Sequence, residues 1–595
     1  MHDYRRTHSC GDLNKTHAGE TVTLSGWVHK RRDLGGLTFV DLRDRYGITQ
    51  LIFDPNKNAD LHKLAGNLKH ESVISIEGIV HPRVEGMANK NMVTGEIEIE
   101  VSHLELLSES LVPPFTLNDD TYEVNEELRL KYRYLDIRKG NLLKNLTIRH
   151  KAMVATRRFL DGEKFTEVQT PIMSKSTPEG AREYLVPSRI HPAHFYALPQ
   201  SPQIYKQLLM ISGLDRYFQI APCFRDEDLR AERQPEFTQI DIEMSFGKPE
   251  DIKKLTEGML KEIFKECLNV EIETPIPVMS YHDCLENYGT DKPDVRFDMP
   301  LVRVDDIVKD STFSIFTDQL KNEGCIKGIC VKGGAEISRK GIDVYTEFVS
   351  RLGLKGLAWM KKQNGEFSSS IVKFFPSELL DKLSNVLHVE DGDMILFAAA
   401  KESVVNQALD HLRRHIAKER KLIPENAYKF LWVNDFPLFE FDEEENRLTS
   451  IHHPFTSPHF DDIKLIDEDP LNVRSDAYDC VLNGFEIGGG SQRIHNQELQ
   501  KKIFKTLNLS EDDIKTRMGF FIEALQYGTP PHLGIAFGLD RIAMILCNTD
   551  NIKDVIAFPK SLNATDLMMQ SPSMVEKVQL DELKIKTLAE EISVI

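Results

Sequence analysis

The chain has 595 residues, a formal net charge of −19, and 41% hydrophobic and 28% charged residues. The length predicts about three to five domains, and the composition excludes global disorder. The negative charge excludes a protein that coats nucleic acid without specificity, because phosphate binding requires clustered Lys and Arg, but it leaves room for a local basic face.

The cysteines and the N-terminus indicate the cellular compartment. The eight cysteines contain no CxxC pair, and the first residues, MHDYRRTHSCGDL, lack the apolar core of a signal peptide. We therefore expect reduced thiols, no zinc site and a cytoplasmic location. No stretch approaches the roughly 20 apolar residues of a membrane span, so we expect no membrane association.

Residues 21–107 contain five short runs of alternating apolar residues, separated by Gly, Asp, Asn and Pro. Five such strands in so short a stretch predict a small closed β-barrel, with a turn at residues 43–47. One face carries Arg31 and Arg32 near Phe39, which offers cations for phosphate and a ring for base stacking. A solvated charged face around a core phenylalanine is the alternative interpretation.

Composition and periodicity also predict the domain boundaries. A helical pattern begins at Asn141 and leads into a predicted strand at FTEVQTPIM, which stops at Pro171. Residues 293–424 lack clustered catalytic residues, although the segments on both sides of them are rich in such residues. The predicted boundaries are 1–108 for the barrel, 109–140 for a linker, 141–292 and 425–560 for two parts of a catalytic domain, 293–424 for an inserted α+β domain, and 561–595 for a polar C-terminal extension.

The segment FQIAPCFRDEDLRAERQPEFTQIDIEMSF, residues 218–246, reads as two antiparallel strands around a charged loop. Its arginines can bind a triphosphate, because a guanidinium group forms two parallel hydrogen bonds to phosphate oxygens. Gln239, Asp241 and Glu243 alternate in the returning strand and so point to one face. A surface ion-pair network is the alternative, but apolar strands around a polar tip favour a pocket.

Two later segments complete a candidate nucleotide site. In YDCVLNGFEIGGGSQRIH, Asp479 and Glu486 are predicted to line a strand and hold Mg²⁺, with a Gly-rich hairpin carrying incidental acids as the alternative. In GIAFGLDRIAMIL, a strand and a turn at Gly538 precede a helix with Arg541 in its first turn, which favours an anion. The sequence contains neither a P-loop nor a Rossmann glycine motif, and the HIGH and KMSKS motifs are absent too. The remaining option is an ATP site made from arginines on antiparallel strands.

The order of these motifs carries a family resemblance. FTEVQTP, FRDEDLRAERQPEFTQID and GIAFGLDR resemble motifs 1, 2 and 3 of class II aminoacyl-tRNA synthetases. TPEGAREYLVPSR, QSPQIYKQLLM, IHHPFT and GFEIGGGSQRIH resemble the bacterial aspartyl-tRNA synthetases of subclass b, over essentially the whole chain. The resemblance implies a multidomain α+β protein with an N-terminal OB-fold anticodon-binding barrel, a class II antiparallel-sheet catalytic domain and a bacterial-type insertion.

The resemblance also implies an activity and partners. ATP would activate L-aspartate to aspartyl-adenylate with release of pyrophosphate, and the aspartyl group would pass to the 3′-terminal ribose of tRNA(Asp). The cofactor would be Mg²⁺, and the protein would be a homodimer with Pro171 at the interface. The sequence does not assign a role to the inserted domain at 293–424: a structural brace and a contact to the tRNA acceptor stem are both open, and we favour the brace.

Residue roles are implied where the motifs match. Aspartate would be bound by Glu179, Ser201, Gln203, Lys206, Arg225, Asp241, His452 and Arg493. ATP would be bound by Arg225, Asp226, Glu227, Gln234, Glu486, Gly538, Leu539, Asp540 and Arg541, of which Arg225 and Arg541 would be catalytic. Asp479 and Glu486 would hold Mg²⁺, and Arg31, Arg32, Phe39 and Gln50 would contact the tRNA anticodon.

One position bears on tRNA choice. Leu34 stands where the resemblance places His in bacterial relatives that also charge tRNA(Asn), which implies the discriminating form. A non-discriminating aspartate–tRNA(Asp/Asn) ligase is the alternative. QSPQIYK and GGGSQR disfavour an asparaginyl- or lysyl-tRNA synthetase. The intact catalytic set disfavours a tRNA-binding paralogue without activity. The barrel disfavours an amino-acid ligase that has no nucleic-acid partner.

Overall fold

A computed structural model describes residues 4–118, 123–177, 181–443 and 446–588. The described chain divides into two compact units. Unit 1 contains Met1–Arg149, Leu229–Gln234 and Thr549–Val575, and unit 2 contains His150–Asp228, Pro235–Asn548 and Glu576–Ile595. None of the helices in the described ranges combines the length and apolar character needed to cross a bilayer.

The N-terminal part of unit 1 is a closed barrel. Its strands are β1 (Thr21–Leu34), β2 (Leu37–Arg43), β3 (Ile48–Phe53), β4 (Val73–Pro82) and β5 (Ile97–Ser108), with α1 (Ala59–Gly66) between β3 and β4. They close in the order β1-β2-β3-β5-β4. Alternate residues such as Val22, Leu24, Val40 and Leu51 fill the interior and are fully buried, so the predicted barrel is confirmed.

The rest of unit 1 is helical and irregular. Helices α2 (Glu126–Lys131) and α3 (Arg133–Asp136) follow the barrel, α4 (Gly140–Gly162) begins here, and single 3-10 turns lie at Lys15–His17 and Ile552–Asp554. The helix predicted from Asn141 is therefore confirmed as α4. Asn125 caps α2 by accepting a hydrogen bond from the Glu127 N–H, and Glu126 and Glu127 favour its positive end.

Unit 2 is a mixed α+β body. Its strands are β6 (Thr166–Glu167), β7 (Leu185–Pro187), β8 (Phe195–Ala197), β9 (Arg216–Phe224), β10 (Glu236–Ser245), β11 (Val278–Ser280), β12 (Val302–Arg303), β13 (Cys325–Val331), β14 (Ala358–Gln363), β15 (Glu366–Ser368), β16 (Met394–Ala400), β17 (Phe430–Asn434), β18 (Phe439–Asp442), β19 (Arg447–Ser450), β20 (Ala477–Leu482), β21 (Phe485–Gln492) and β22 (His532–Gly538). Its further helices are α5 (Gln203–Ile211), α6 (Pro249–Leu268), α7 (Tyr281–Tyr288), α8 (Asp305–Val308), α9 (Ser314–Lys321), α10 (Arg339–Ser350), α11 (Ser377–Val386), α12 (Glu402–Glu419), α13 (Leu465–Glu468), α14 (Gln497–Thr506), α15 (Glu511–Ala524), α16 (Leu539–Leu546) and α17 (Lys577–Leu583).

An eight-stranded sheet organises unit 2, in the order β11-β17-β20-β21-β22-β10-β9-β6. The inner pairs are antiparallel, as predicted, and the outermost pair at each edge is parallel. The strand predicted at FTEVQTPIM is shorter than expected, because only Thr166–Glu167 pair with β9. Further along, the Thr170 N–H donates to the Gln219 side chain at 3.2 Å, and Pro171 has no N–H to donate to a ladder.

A second sheet lies within the stretch predicted as an insertion. Its strands follow the order β12-β13-β16-β14-β15. Helices α10 and α12 cover one face, and α8, α9 and α11 cover the other, so both faces carry apolar clusters. Lys327 is fully buried on β13 and pairs with Glu286 at 2.8 Å.

The domain boundaries drawn from the sequence stay predictions.

Candidate functional site

Four buried charged side chains meet on the main sheet of unit 2. Asp241 and Glu243 alternate along β10, Lys206 lies on α5, and Arg493 follows β21. The Lys206 Nζ atom lies 2.7 Å from Asp241 Oδ1 and 3.3 Å from Glu243 Oε2. Arg493 donates to both carboxylate oxygens of Glu243, at 2.9 and 3.1 Å. None of the four side chains is more than 2% exposed, so the formal charges cancel within one buried cluster.

Burial and pairing set the protonation of this cluster. Burial raises the pKa of Glu243, but Arg493 and Lys206 outweigh it and the net shift is downward. Burial also raises the pKa of Asp241, and here it prevails over the lowering effect of Lys206. The pKa of Arg493 is raised, because Glu243 outweighs the opposing effect of burial. Glu243 therefore holds the two cations in place as a carboxylate.

Unsatisfied polar atoms lie beside the cluster. Asp241 Oδ2 and Gln203 Nε2 are buried and have no hydrogen-bond partner among the described residues. Gln203 opens α5, where its N–H donates to Ser201 Oγ at 3.3 Å, and it lies one turn before Lys206. An unused acceptor and an unused donor beside paired charges fit the ammonium and carboxylate groups of an amino acid, because buried polar groups normally have partners.

A glycine in the neighbouring strand makes room for Glu243. Gly534 of β22 lies opposite Glu243 of β10 in the antiparallel register. A Cβ atom at position 534 would lie 1.7 Å from Glu243 Oε2 and 2.3 Å from the Ile242 carbonyl oxygen. Only glycine therefore permits this carboxylate to lie against the strand and reach Arg493.

The carboxylates predicted to bind metal lie on two strands rather than one, which corrects the sequence prediction. Asp479 belongs to β20 and Glu486 to β21, and these strands form a hairpin. Asn483 and Gly484 have φ angles of 54° and 84° and make its turn. An Asn-Gly pair favours this kind of turn, so the hairpin named as the alternative for this segment has a local sequence signal at Asn483 and Gly484.

The surroundings of Asp479 fit a hard cation. Burial and the nearby Glu486 raise the pKa of Asp479 to about 6. Asp479 Oδ1 is buried with no hydrogen-bond partner within the described part of the chain, and His452 Nε2 lies 3.7 Å from it. A Cβ at Gly489 would lie 2.8 Å from the same oxygen, so glycine keeps this space open. No lysine or arginine in the described ranges forms an ion pair with either carboxylate, and two such carboxylates suit Mg²⁺, which prefers oxygen ligands.

The two arginines predicted to be catalytic occupy different elements. Arg225 follows β9, its N–H donates to the Pro235 carbonyl at 2.9 Å, and its guanidinium lies 5.1 Å from the centre of the Phe237 ring. Arg541 lies in the first turn of α16 and donates to the Glu486 carbonyl oxygen. The Nε atoms of both arginines are buried without a partner among the described residues, so each retains a donor for an anion.

Asp540 and Leu539, two of the other residues predicted to contact ATP, serve the fold with their side chains. Asp540 accepts a hydrogen bond from the Thr238 N–H at 2.7 Å, and Leu539 is fully buried in the core. The Asp226 N–H donates to the Arg182 carbonyl at 3.0 Å, and Glu227 beside it is half-buried. These positions, with Gly538, can contact a nucleotide through their backbone, and their predicted role stays a prediction.

Gln234 and Glu179 complete the predicted set. Gln234 lies in unit 1, where its side chain donates to the Lys560 carbonyl at 3.2 Å and accepts from the Lys560 N–H at 2.8 Å. Both ends of the Gln234 carboxamide are therefore occupied by the backbone N–H and carbonyl of one residue, Lys560. Glu179 lies outside the described residues.

The outer face of the barrel carries the residues predicted to read an anticodon. Phe39 is half-buried on β2 and lies opposite Arg32 of β1. Arg32 pairs with Asp41 at 2.6 Å, and Gln50 donates to Glu98 at 3.0 Å.

Two other residues of the predicted set lie apart from this group. Arg31 donates to the carbonyl oxygens of Gly66 and Leu68, so its guanidinium is held at the backbone. Leu34 lies at the end of β1 and is 61% exposed. The structure thus groups Arg32, Phe39 and Gln50 more closely than Arg31.

Two residues of the pocket were not assigned from the sequence. Glu243 was placed on the correct face by its alternation with Asp241, but its two partners come from distant segments. His453 lies 2.8 Å from Arg493 through its Nε2 atom, and burial together with Arg493 lowers its pKa well below the usual range. The signal was present in IHHPFT, where only the first histidine was assigned.

Two family models match the chain. The model described as tRNA synthetases class II (D, K and N) matches residues 125–562, and the model described as OB-fold nucleic acid binding domain matches residues 22–107.

Curated relatives match nearly the whole chain. An aspartate–tRNA(Asp/Asn) ligase of Protochlamydia amoebophila is 59% identical over 98% of this chain and 98% of its own length. Another protein of that name, from Chlamydia muridarum, is 55% identical over 98% of this chain and 99% of its own length.

Solved structures share the fold. Asparaginyl-tRNA synthetase from Pyrococcus horikoshii, complexed with asparaginyl-adenylate, matches with a TM-score of 0.59 at 18% identity, covering 93% of this chain and 98% of that chain. An aspartyl-tRNA synthetase from Entamoeba histolytica matches with a TM-score of 0.57 at 19% identity, covering 93% of this chain and 91% of that chain.

Proposed function

As a member of the class II tRNA synthetases of the aspartate, lysine and asparagine group, the chain is an aspartate–tRNA ligase, and we propose that it charges both tRNA(Asp) and tRNA(Asn) with aspartate. Relatives that match almost the whole chain are named for both tRNAs, which supports this alternative over the discriminating form that Leu34 implied. Leu34 is an exposed side chain beside the Gly35–Gly36 turn. This single position carries less weight than a similarity that extends over almost the whole chain.

The observation that carries the amino-acid assignment is the buried four-charge cluster. Lys206 and Arg493 offer two cations to the side-chain carboxylate of aspartate, and Asp241 Oδ2 offers an unused acceptor to its ammonium group. Arg225 takes the α-carboxylate, so each charge of aspartate meets an opposite charge. Asparagine is disfavoured, because its neutral amide cannot accept two charge-assisted hydrogen bonds from Lys206 and Arg493 as the aspartate carboxylate does, and its NH₂ group would face these cations.

The chemistry that we propose needs no side-chain nucleophile. The α-carboxylate of aspartate attacks the α-phosphorus of ATP, the bond from that phosphorus to the bridging oxygen breaks, and pyrophosphate leaves. Arg225 holds the attacking carboxylate against the α-phosphate, and Arg541 holds the γ-phosphate. Mg²⁺ held by Asp479 and Glu486 would supply neutralisation of phosphate charge. Positioning and charge neutralisation therefore provide the rate enhancement.

The second step uses the nucleic acid. The 3′-terminal ribose hydroxyl of the tRNA attacks the carbonyl carbon of aspartyl-adenylate, and AMP leaves. Phe39 stacks on an anticodon base, Gln50 hydrogen-bonds another, and Arg32 contacts phosphate. The grouping of these three residues on one barrel face supports this assignment.

We also propose a homodimer through the segment around Pro171. Ile172 and Met173, which follow it, are 38% and 59% exposed in the single chain, and exposed apolar residues favour an interface. Light scattering should give twice the mass of one chain, and a single-chain mass at micromolar concentration would contradict the proposal.

Aminoacylation of two transcripts tests the tRNA choice. With radiolabelled aspartate, the protein should charge tRNA(Asn) with a kcat/KM within about tenfold of that for tRNA(Asp), since one anticodon base contact is worth about 1 kcal/mol. Leu34→His should change this ratio by less than about twofold, because the side chain is exposed. Charging of tRNA(Asn) at background by the unmodified chain, restored by Leu34→His, would establish the discriminating form instead.

A further inference from the structure

Residues 551–560 of unit 1 are held by side chains rather than by a β-ladder. Within the described residues, the only regular element here is the 3-10 turn Ile552–Asp554. Its backbone groups still need partners, because buried carbonyl oxygens without hydrogen bonds are costly. Those partners come from two other parts of the same unit.

The first set of partners belongs to the helices after the barrel. Arg133 is 3% exposed, and its guanidinium donates to the carbonyl oxygens of Lys553 at 2.5 Å, Ile556 at 2.9 Å and Ala557 at 3.0 Å. Its remaining nitrogen donates to the fully buried Asp136 at 2.8 Å. One planar guanidinium thus satisfies three carbonyl groups and fixes the path of the segment.

Further contacts reinforce this side. Lys553 pairs with Glu126 of α2, and Asn145 of α4 donates to the Asp554 carbonyl at 3.1 Å. Arg129 links Asp136 and Asp554, at 3.1 and 3.4 Å. Arg133 is the most buried of the cations in this set, so it is the central contact.

The opposite side of the segment holds residues 229–234. The Ile552 N–H donates to the Ala231 carbonyl at 3.0 Å. The Lys560 N–H donates to the oxygen of the Gln234 carboxamide at 2.8 Å, and the amide nitrogen of Gln234 donates to the Lys560 carbonyl at 3.2 Å. Gln234 is 7% exposed, whereas Arg233 between the two anchors and Arg230 just before them are exposed. The loop is therefore fixed at its base and presents two arginines outward.

We propose that Arg133 is a positioning residue for ATP binding: through residues 551–560 it holds the 229–234 loop in the conformation that accepts the nucleotide. This inference rests on the proposed function, because the role of the loop in binding ATP belongs to it. Arg133 touches no substrate. Its contribution is to reduce the loop conformations that ATP must otherwise order on binding.

Aspartate-dependent ATP–pyrophosphate exchange tests the proposal, with ATP and aspartate titrated separately. Arg133→Lys keeps the charge but loses the planar fork that reaches three carbonyl oxygens. It should raise the KM for ATP about fivefold and leave the KM for aspartate within about twofold. Glu126→Gln, which removes the negative charge that pairs with Lys553 and accepts from the Asn551 side chain at 3.5 Å, should shift the KM for ATP in the same direction by a smaller factor. This milder variant gives the test an answer if Arg133→Lys does not fold.

A matched control lies in the same linker. Arg138 donates to Glu71 at 3.1 Å and lies 5.2 Å from the centre of the Trp27 ring, so it contacts the barrel and not the segment. Arg138→Gln should leave the KM for ATP within about twofold, since surface contacts away from the segment contribute little. An equal rise of the KM for ATP in Arg138→Gln would mean that general loosening of the linker, not Arg133, is responsible, and would overturn the proposal.

A double-mutant cycle separates action through the loop from an independent effect. Gln234→Met removes both hydrogen bonds to Lys560 and keeps a similar volume. If Arg133 acts through the loop, Arg133→Lys should add less than about twofold to the effect of Gln234→Met on the KM for ATP. Additive effects, or an unchanged KM in Arg133→Lys, would overturn the inference. Absence of exchange in the unmodified chain would instead overturn the proposed function.

Discussion

The pocket of unit 2 and the outer face of the barrel both use paired charges, but in opposite environments. In the pocket, Lys206 and Arg493 are 2% exposed and bind two fully buried carboxylates. On the barrel, Arg32 is 33% exposed in its pair with Asp41. A buried pair interacts strongly and is costly to break, whereas an exposed pair is screened by water and contributes little.

This difference teaches how each surface can select its ligand. The pocket is preorganised, because four charges and Gly534 fix one arrangement before aspartate arrives. On the barrel face, Arg32 and Phe39 are only partly buried and can rearrange around a base. Changes in the pocket should therefore cost much in both stability and activity, and changes on the barrel should cost only tRNA binding.

Lys206→Met should have the largest effect. It leaves Asp241 buried without its cation, so the free energy of unfolding should fall by about 3–5 kcal/mol and aspartate-dependent exchange should fall more than about a hundredfold. Denaturant unfolding and pyrophosphate exchange measure the two effects. Affinity for tRNA, measured by filter binding, should hardly change, and a large loss would contradict the separate roles proposed for the pocket and the barrel.

Gly534→Ala should have the next largest effect. The added methyl group would overlap Glu243 Oε2, so either β22 or the carboxylate must move, at a cost of about 2–3 kcal/mol in the free energy of unfolding. The KM for aspartate should rise with it. The matched control is Gly519→Ala in α15, where the added Cβ would meet only Lys515 Cγ at 3.7 Å. The control should be neutral or slightly stabilising, and equal losses in both variants would show that the overlap is unimportant.

Phe39→Ala should lower kcat/KM for tRNA charging about tenfold, because one stacked base is worth about 1–2 kcal/mol. Pyrophosphate exchange without tRNA should be unchanged. Leu64→Ala, on the exposed surface of α1, provides the control and should alter charging by less than about twofold. A fall in exchange for Phe39→Ala would break the contrast between the two regions.

Asp476→Asn should have the smallest effect, and it tests how burial in unit 2 changes stability with pH. Burial raises the pKa of Asp476 from 3.8 to about 6, and Asp435 and Glu250 add to this while His459 and Arg474 oppose it. Because the folded state holds the proton more tightly, this group adds stability at low pH that is lost as pH rises towards 6. Asp476→Asn should raise the free energy of unfolding at pH 7.5 by about 1 kcal/mol and flatten its pH dependence between about 4 and 6. An unchanged pH profile would refute the assignment.

Much of the fold followed from local pattern. The five alternating runs predicted the barrel, and the motif order predicted the antiparallel sheet and the family, all of which are confirmed. Alternation also placed Asp241 and Glu243 on one face. The length of β6 was overestimated. Beyond Glu167, Thr170 is held by the side chain of Gln219, which lies 49 residues further along the chain and leaves no local signal in the sequence.

The partners across long sequence separations could not be predicted in this way. Glu243 binds Arg493 250 residues away, and Gln234 binds Lys560 326 residues away. No local periodicity encodes such contacts, since they depend on how separate segments pack. The family resemblance supplied ligand roles for single residues, but not the pairing that holds those residues before a ligand binds.

The pairing of the four charges also restricts how the specificity of this enzyme can change over evolutionary time. Replacing any one member leaves the buried cluster with an unbalanced charge, so most single steps towards another amino acid carry a large loss of fitness. A new specificity requires two compensating substitutions, one on β10 and one on α5 or after β21, together or in an order that permits rescue. A saturation library that varies Lys206, Asp241, Glu243 and Arg493 jointly should therefore yield functional variants that libraries of single substitutions miss.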